Sequence, residues 1–363
     1  MIHAADHEFM TQALALAGRG LYATTPNPRV GCVLVRDGAV VGAGWHERAG
    51  GPHAEVIALQ AAGARARGAT AYVSLEPCHH FGRTPPCDQA LIQAGVTRVV
   101  AAMVDPDPRT SGHGMAYLGQ AGIAVVIGVM ENEARELNIG FVSRVTRGRP
   151  WTRMKIAASL DGKTALNNGR SQWITGEEAR RDGHHWRARA CALLTGIGTV
   201  LDDDPQLTVR DVSTPRQPLR VVVDSRLAIP LTARVLAGGG VLIACSEENP
   251  YKIKQLVDLG AEVIAMPNAH GKVELPALMQ ELARRGVNEL HIEAGAKLNG
   301  SLINEECVDE LLLYLAPHLL GDSARGMAAL PELVDLEARR RLQIREVSTI
   351  GNDIRVIARV EKK

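Results

Sequence analysis

No lysine precedes Lys155, although the first 148 residues hold twelve arginines and twelve acidic residues. Ordinary lysine use begins only beyond Pro150, so the composition shifts near that proline. Aromatic residues are scarce too, twelve in 363, a poor supply for stacking single-stranded bases. A formal charge of +1 leaves no strong field to draw nucleic acid or an anionic membrane. No apolar run approaches the length of about 20 residues that a membrane-crossing helix needs. The opening segment MIHAADHEFMTQALALAGRG carries charge where a signal peptide requires an apolar stretch. Six cysteines scattered along the chain do not form a dense disulfide framework. These absences lead us to expect a cytoplasmic protein of two domains that binds neither nucleic acid nor membrane.

The patterns that are present alternate strand with helix. Phe9, Met10, Ala13, Leu14 and Ala17 share one face of a first helix. RVGCVLVRDGAVVGAGWH reads as two strands joined at Asp37-Gly38. A helix over about 54–66 follows, then strand TAYVSL, helix DQALIQAG, strand RVVAAMV, a helix near 114–121 and strand IAVVIGV. ENEARELNIGFVSRVTRGRP reads as one closing helix and a short linker. Beyond it, strands are expected at WTRMKIAASL, CALLTGI, LRVVVDS, GVLIAC, AEVIAM and ELHIEAG. Helices are expected near 176–189, 250–259, 276–285 and 297–304, and antiparallel strands at DELLLYLAPHLL and LQIREVSTIGNDIRVIARV. Both halves are α/β, and sheets with helices on both faces are the economical reading.

The first half concentrates metal-binding chemistry. His53-Ala54-Glu55 opens a helix, Pro77-Cys78 closes a strand, and Cys87 opens the next helix. Helix N-termini carry partial positive charge that favours thiolates. Two such termini can bring one imidazole and two thiolates to a single point. Three protein ligands, His53, Cys78 and Cys87, leave a tetrahedral Zn²⁺ one open position, the catalytic arrangement. Zinc lowers the pKa of a bound water to about 7. Glu55, two residues from a ligand, is free to shuttle that water's proton to a leaving amine.

The pattern resembles zinc-dependent nucleoside and base deaminases, with H-x-E followed by P-C-x-x-C. The cysteines here stand nine positions apart rather than three. The longer loop PCHHFGRTPPC, with TTPNPRVGCVLV, GWHERAGGPHAE and DPDP, resembles the bifunctional riboflavin-biosynthesis deaminase/reductase family. KIAASLDGKTA, SQWIT, DDPQLTVR, VVVDS and EAGAKLNG extend the resemblance through the second half. It implies a cytidine-deaminase-like three-layer α/β/α domain over 1–147 and a dihydrofolate-reductase-like α/β domain over 148–363. The implied substrate is a diaminopyrimidinone bearing a ribosylamino 5′-phosphate, deaminated at pyrimidine C2. Asn27, His46, His80 and Arg83 would line that pocket, with His80 and Arg83 suited to the phosphate or ribose. His80 is an alternative zinc ligand by residue type. Asp107 stands where the family has Asn, and an ionised carboxylate cannot donate a hydrogen bond.

No G-x-G-x-x-G fingerprint follows a strand, so a Rossmann site is not expected. The resemblance instead implies NADPH as hydride donor, with reduction at C1′ converting the ribosyl into a ribityl chain. Gly295, at the start of a helix in EAGAKLNG, suits the pyrophosphate. Ser225 and Arg226, ending VVVDS, suit the 2′-phosphate. Ala157, Trp173, Thr199 and Asp203 match the family's other cofactor positions. Ser171, Arg187, Leu207, Arg210 and Glu293 match its substrate positions, with Arg187 and Arg210 as a phosphate clamp. Lys155 is a candidate for the sugar hydroxyls or for ring opening. The same resemblance implies a homo-oligomer, dimer or tetramer.

Overall fold

The computed structural model describes residues 2–79 and 85–361. The chain divides into two compact units, Met1–Gly148 and Arg149–Lys363.

The first unit runs α1 (Ala4–Gly18), β1 (Gly31–Arg36), β2 (Ala39–Trp45), α2 (Ala54–Ala62), β3 (Thr70–Val73), α3 (Cys87–Gln93), β4 (Arg98–Ala101), α4 (His113–Gln120), β5 (Ala124–Ile127), α5 (Glu131–Leu137) and α6 (Ile139–Arg147). Its sheet has the order β2-β1-β3-β4-β5. The first two neighbour pairs are antiparallel and the last two parallel. Positive φ at Asp37 (52°) and Gly38 (75°) closes the β1–β2 hairpin, as the Asp-Gly pair predicts.

Strand alternation sends successive side chains to opposite faces. Cys32, Leu34, Val73, Val99 and Ala101 pack with Ala54, Ala58, Leu91, Met115 and Leu118, from α2, α3 and α4. Val33, Val35, Tyr72 and Val100 pack with Met10, Ala13 and Ala134, from α1 and α5. The result is the three-layer α/β/α unit expected.

Two glycines on β2 set how close α2 lies. A Cβ on Gly44 would sit 2.7 Å from the Ile57 side chain, and one on Gly42 would sit 2.3 Å from the Ala58 carbonyl oxygen. Without side chains there, α2 settles directly on the sheet and its N-terminus is placed with it.

The single closing helix expected over 131–147 is two helices. They break at Asn138 (φ −106°, ψ 20°). Its amide pairs with the backbone of Arg29, accepting from N–H at 2.8 Å and donating to C=O at 2.9 Å. A side chain so engaged competes with helix continuation.

The second unit runs β6 (Trp151–Ser159), β7 (Lys163–Ala165), α7 (Glu177–Arg189), β8 (Ala192–Gly196), α8 (Ile197–Asp203), β9 (Leu219–Val223), β10 (Val241–Cys245), α9 (Pro250–Asp258), β11 (Ala261–Ala265), α10 (Leu275–Arg284), β12 (Glu289–Ile292), α11 (Ala296–Asn304), β13 (Glu310–Ala316), β14 (Arg325–Gly326), β15 (Leu342–Ile350) and β16 (Asp353–Val360). Its main sheet has nine strands in the order β11-β10-β9-β8-β12-β6-β13-β16-β15. It is parallel from β11 to β13, and β16 and β15 add antiparallel pairs.

One face carries the larger apolar core, where Met154, Ile156, Leu194, Leu242 and Leu290 meet Leu278 and Leu282 of α10 and Leu302 of α11. The other face changes character along the sheet. Leu193, Val222 and Ile243 pack against Val200 of α8 and Leu256 of α9. Below α7, Glu289 and His291 alternate along β12, His291 opposite Arg153 of β6, and Glu293 follows just past the strand's end. This half-charged face is the part of the unit that builds a site. Among the described residues, no helix is long and apolar enough to cross a membrane.

Candidate active sites

The first site is built from two loop-to-helix junctions. His53 is the N-cap of α2, with extended backbone (φ −75°, ψ 160°), and Glu55 lies in that helix's first turn. Cys87 is the first residue of α3 behind Pro86. Cys78 lies five residues beyond the end of β3, since that strand stops at Val73 instead of running to Leu75 as expected.

The three donors nevertheless converge. His53 Nδ1 is 3.2 Å from Cys87 Sγ and 3.6 Å from Cys78 Sγ. All three ligand atoms lie within 4.8 Å of one another. On a tetrahedral zinc, bonds of about 2.05 Å to nitrogen and 2.3 Å to sulfur separate an N–S ligand pair by roughly 3.6 Å. The spacing and the donor chemistry therefore fit Zn²⁺.

The electrostatics agree. The Cys87 backbone N–H donates to Cys78 Sγ at 3.3 Å. Hydrogen bonding from the Cys87 thiol, and then from His53, pulls the Cys78 thiol well below its ordinary pKa. Its pairing with Cys78 and its own burial push Cys87 up. Contact with Cys78 raises His53. Burial first, and the Cys78 charge second, push the Glu55 carboxyl up to about 7.

Neighbours hold the ligands in place. His79 Nδ1 donates to the fully buried Asp88 carboxylate at 2.5 Å, tying the residue after Cys78 to the residue after Cys87. Buried Glu76 accepts backbone N–H bonds from Asp105 (3.1 Å), Gly112 (2.9 Å) and Met115 (3.2 Å). Such outer partners orient first ligands.

Asn27 and His46 meet here. The Pro52 carbonyl takes the His46 Nδ1–H at 2.9 Å. That leaves Nε2 to accept from Asn27 Nδ2 at 3.0 Å. The His46 ring stands edge-on to that of His53, centroids 5.6 Å apart. Burial lowers the His46 pKa, so the neutral ring keeps this tautomer. The Asp107 carboxylate is held by the Arg109 guanidinium, with a contact of 2.5 Å. His80 and Arg83 lie outside the described residues.

The second site collects on the other unit's half-charged face. Arg187 of α7 forks onto Glu293, just past β12, with contacts of 2.5 and 2.8 Å. Burial alone would raise the Glu293 carboxyl, but the Arg187 guanidinium, with Lys155 beside it, holds it well below the usual range. The Lys155 ammonium stands 6.0 Å from the Tyr314 ring centroid, and burial lowers its pKa. The Tyr314 hydroxyl donates to Asp182 of α7 at 2.5 Å, and Arg355 donates to the same carboxylate at 2.8 Å. These bonds pin α7, and with it Arg187, to the sheet.

Arg187 also donates to the Thr208 carbonyl at 3.1 Å, and the Arg210 guanidinium reaches the Thr208 hydroxyl at 3.2 Å. Both arginines expected to form a clamp thus flank one residue. Leu207 turns its backbone at φ 50° and buries its side chain in the core.

The residues expected at the cofactor form two groups. Gly196 caps the N-terminus of α8 and Gly295 that of α11. A Cβ on Gly295 would lie 3.8 Å from Thr199 Oγ1, and one on Gly196 would lie 3.0 Å from Leu298. Two helix N-termini therefore stand side by side, which suits a pyrophosphate. The Ser171 hydroxyl donates to Asp203 at 3.4 Å, at the far end of α8. Trp173 is exposed, with the Arg180 guanidinium 4.6 Å over its ring. Ala157 lies on β6. Ser225 and Arg226 stand just past β9. The Ser225 hydroxyl accepts from Val273 N–H at 3.3 Å. The Arg226 side chain is 82% exposed, with its Nε 3.6 Å from Glu247, so it is available to an anion.

The model of the cytidine and deoxycytidylate deaminase zinc-binding region matches residues 3–103. That of the RibD C-terminal domain matches residues 150–356. The riboflavin biosynthesis protein RibD of Escherichia coli (strain K12) is 46% identical over 362 residues, 96% of this chain and 98% of that protein.

The chain belongs to the RibD family.

The RibD of Haemophilus influenzae is also 46% identical, over 97% of this chain and 96% of its own. The structure of Acinetobacter baumannii RibD, form 1, superposes with a TM-score of 0.91 at 43% identity, covering 98% of this chain and 99% of that one. A diaminohydroxyphosphoribosylaminopyrimidine deaminase/5-amino-6-(5-phosphoribosylamino)uracil reductase from Thermotoga maritima superposes with a TM-score of 0.87 at 32% identity, covering 98% of both. Like other RibD proteins, this chain is a bifunctional riboflavin-biosynthesis enzyme with a zinc-binding deaminase domain and a reductase domain.

Glu76, the His79–Asp88 pair and His291 were not singled out in the sequence. His291 had a signal, since it shares a strand face with Glu293 in ELHIEAG. The His79–Asp88 pair had none, because its partners are joined only by folding.

Proposed function

We propose that residues 1–147 deaminate a diaminopyrimidinone carrying a ribosylamino 5′-phosphate, and that residues 148–363 reduce its ribosyl group with NADPH. The carrying observation is the convergence of His53, Cys78 and Cys87 at zinc-ligand spacing beside a buried Glu55. Those three residues would hold zinc, which supplies a Lewis acid that makes a water acidic near neutral pH. Glu55 takes the proton from the attacking water and returns it to the amino group leaving C2. Asn27 and His46 orient the pyrimidine, and His80 and Arg83 receive the phosphate or ribose.

On the reductase side NADPH supplies the hydride, and the chain's residues bind and orient. Gly295 and Thr199 receive the pyrophosphate, Ala157, Trp173 and Asp203 line the rest of the cofactor, and Ser225 and Arg226 take the 2′-phosphate. Glu293 and Ser171 hold sugar hydroxyls, the backbone of Leu207 borders the substrate, and Arg187 and Arg210 receive the 5′-phosphate. Lys155, whose pKa burial lowers, assists ring opening as hydride reaches C1′.

Incubation with the diaminopyrimidinone phosphate tests the reading. Without NADPH, mass analysis shows an amino group exchanged for oxygen. With NADPH, the product also gains a hydride and a proton. No conversion of this substrate in either arm refutes the assignment.

Arg226→Ala raises the KM for NADPH about tenfold and leaves that for NADH within about twofold, the effect of one charged contact in an exposed setting. Deaminase activity is unchanged. An unchanged NADPH/NADH ratio removes Arg226 from the cofactor site. A cytoplasmic location and a homo-oligomeric state, dimer or tetramer, belong to the same proposal. The exposed apolar side chains of Ile344 and Val347 on edge strand β15 support the assembly, and sedimentation velocity measures it.

A further inference from the structure

His291 is 1% exposed, and neither of its ring nitrogens makes a hydrogen bond. Leaving a buried donor without a partner is costly, and such a group in a native fold calls for an explanation. The Glu293 carboxylate stands beside it, with Oε1 3.4 Å from Nε2 but outside hydrogen-bonding geometry. The strand explains the proximity. Residues 291 and 293 share one face of β12 and its continuation, below α7.

The Glu293 carboxylate is engaged at both oxygens by Arg187. Two ionised oxygens offer about four acceptor sites, so the fork leaves room for a further donor. Arg187 is also one of the two guanidiniums proposed to receive the phosphate. If it turns to a ligand, Glu293 loses a contact inside the protein and faces the cost of an unpaired buried charge. The charged groups facing the ring are Arg153 from β6, Arg187 from α7 and Glu293 on its own strand. Burial outweighs the pull of Glu293 and lowers the ring's pKa, with the two arginines acting in the same direction. A neutral ring still carries one N–H.

We propose that His291 is a positioning residue for the reduction, a reserve donor whose Nε2–H takes the Glu293 carboxylate when Arg187 turns to a ligand. This rests on the reading of Glu293 as a substrate contact. It explains why a polar ring is buried with no partner beside an ion pair that already looks complete. The Nε2–H holds Glu293 ionised and aimed while the guanidinium is occupied elsewhere.

The test uses the full-length, zinc-loaded enzyme, NADPH and the deaminated pyrimidine phosphate. His291→Leu removes both nitrogens. His291→Asn keeps a polar group near the Nδ1 position only, and His291→Gln reaches the Nε2 position. Leu and Asn should raise the KM for the pyrimidine about tenfold, with kcat changed less than about threefold. Gln should restore most of the affinity, and all three should deaminate normally. A wild-type KM in Asn, or a Gln variant as impaired as Asn, overturns the proposal. The Asn/Gln comparison decides even if the Leu variant does not fold. Glu293→Gln separates the two readings. If it is impaired while His291→Asn is silent, only His291 loses its role. If both are silent, the substrate reading of Glu293 falls as well.

Discussion

Cys78→Ser protein is expected to contain no zinc and to show no deaminase activity. The substitution is small in volume, but a serine hydroxyl stays protonated at neutral pH and is a poor zinc ligand. Cys78 is also the thiol most ready to be a thiolate. It receives the Cys87 backbone N–H and faces His53, and its pKa is pulled down by both neighbours. Removing it leaves His53 and Cys87, a pair that cannot complete a three-ligand site. Metal analysis of the purified variant reads the result directly. The reductase, assayed with already deaminated substrate, should run at wild-type rate, because none of its proposed residues lies before Lys155. Zinc retained at one equivalent would refute the ligand set. Loss of both activities would point to a folding defect rather than to the metal.

Glu55→Gln should keep its zinc and lose deamination by about 10²-fold or more, the typical worth of a positioned acid/base group. The amide matches the carboxylate in shape and stays neutral, so the packing of α2 against the β2 glycines is undisturbed. It cannot accept and return a proton. The native carboxyl is buried and sits near pH 7, where a group that must both take and give a proton works best. Zinc content measured beside turnover separates this loss from that of Cys78→Ser. Deamination near the wild-type rate would remove Glu55 from the mechanism.

The contrast between these residues and the reductase contacts shows what could be read from the chain. His53 and Glu55 are adjacent in sequence and their helix start is visible, so the heart of the first site was legible. The hairpin at Asp37-Gly38 was legible because positive φ at two consecutive positions demands such residues. The Arg187–Glu293 pair was not, since its partners are 106 residues apart and each alone reads as an ordinary charge. α8 was hidden because two of the three residues in Gly196-Ile197-Gly198 are glycines, which disfavour a helix interior. The first glycine is the helix cap and the second lies inside the helix. The break at Asn138 was hidden because its cause, the Arg29 backbone, lies far upstream.

That contact between Asn138 and Arg29 bears on synthesis. The two residues are 109 positions apart. A ribosome adding about 5 to 20 residues per second delivers Asn138 roughly 5 to 20 s after Arg29. Throughout that interval the segment leading into β1 waits for the amide that will close it, while most of the sheet is already available to pair. The Arg29 guanidinium waits as well, for the Leu137 carbonyl it reaches at 2.6 Å. The last two helices of the first unit therefore act as a clasp on its beginning. A gene cut after β5 would encode every zinc ligand and yet release a chain whose lead into the first strand is left unfastened.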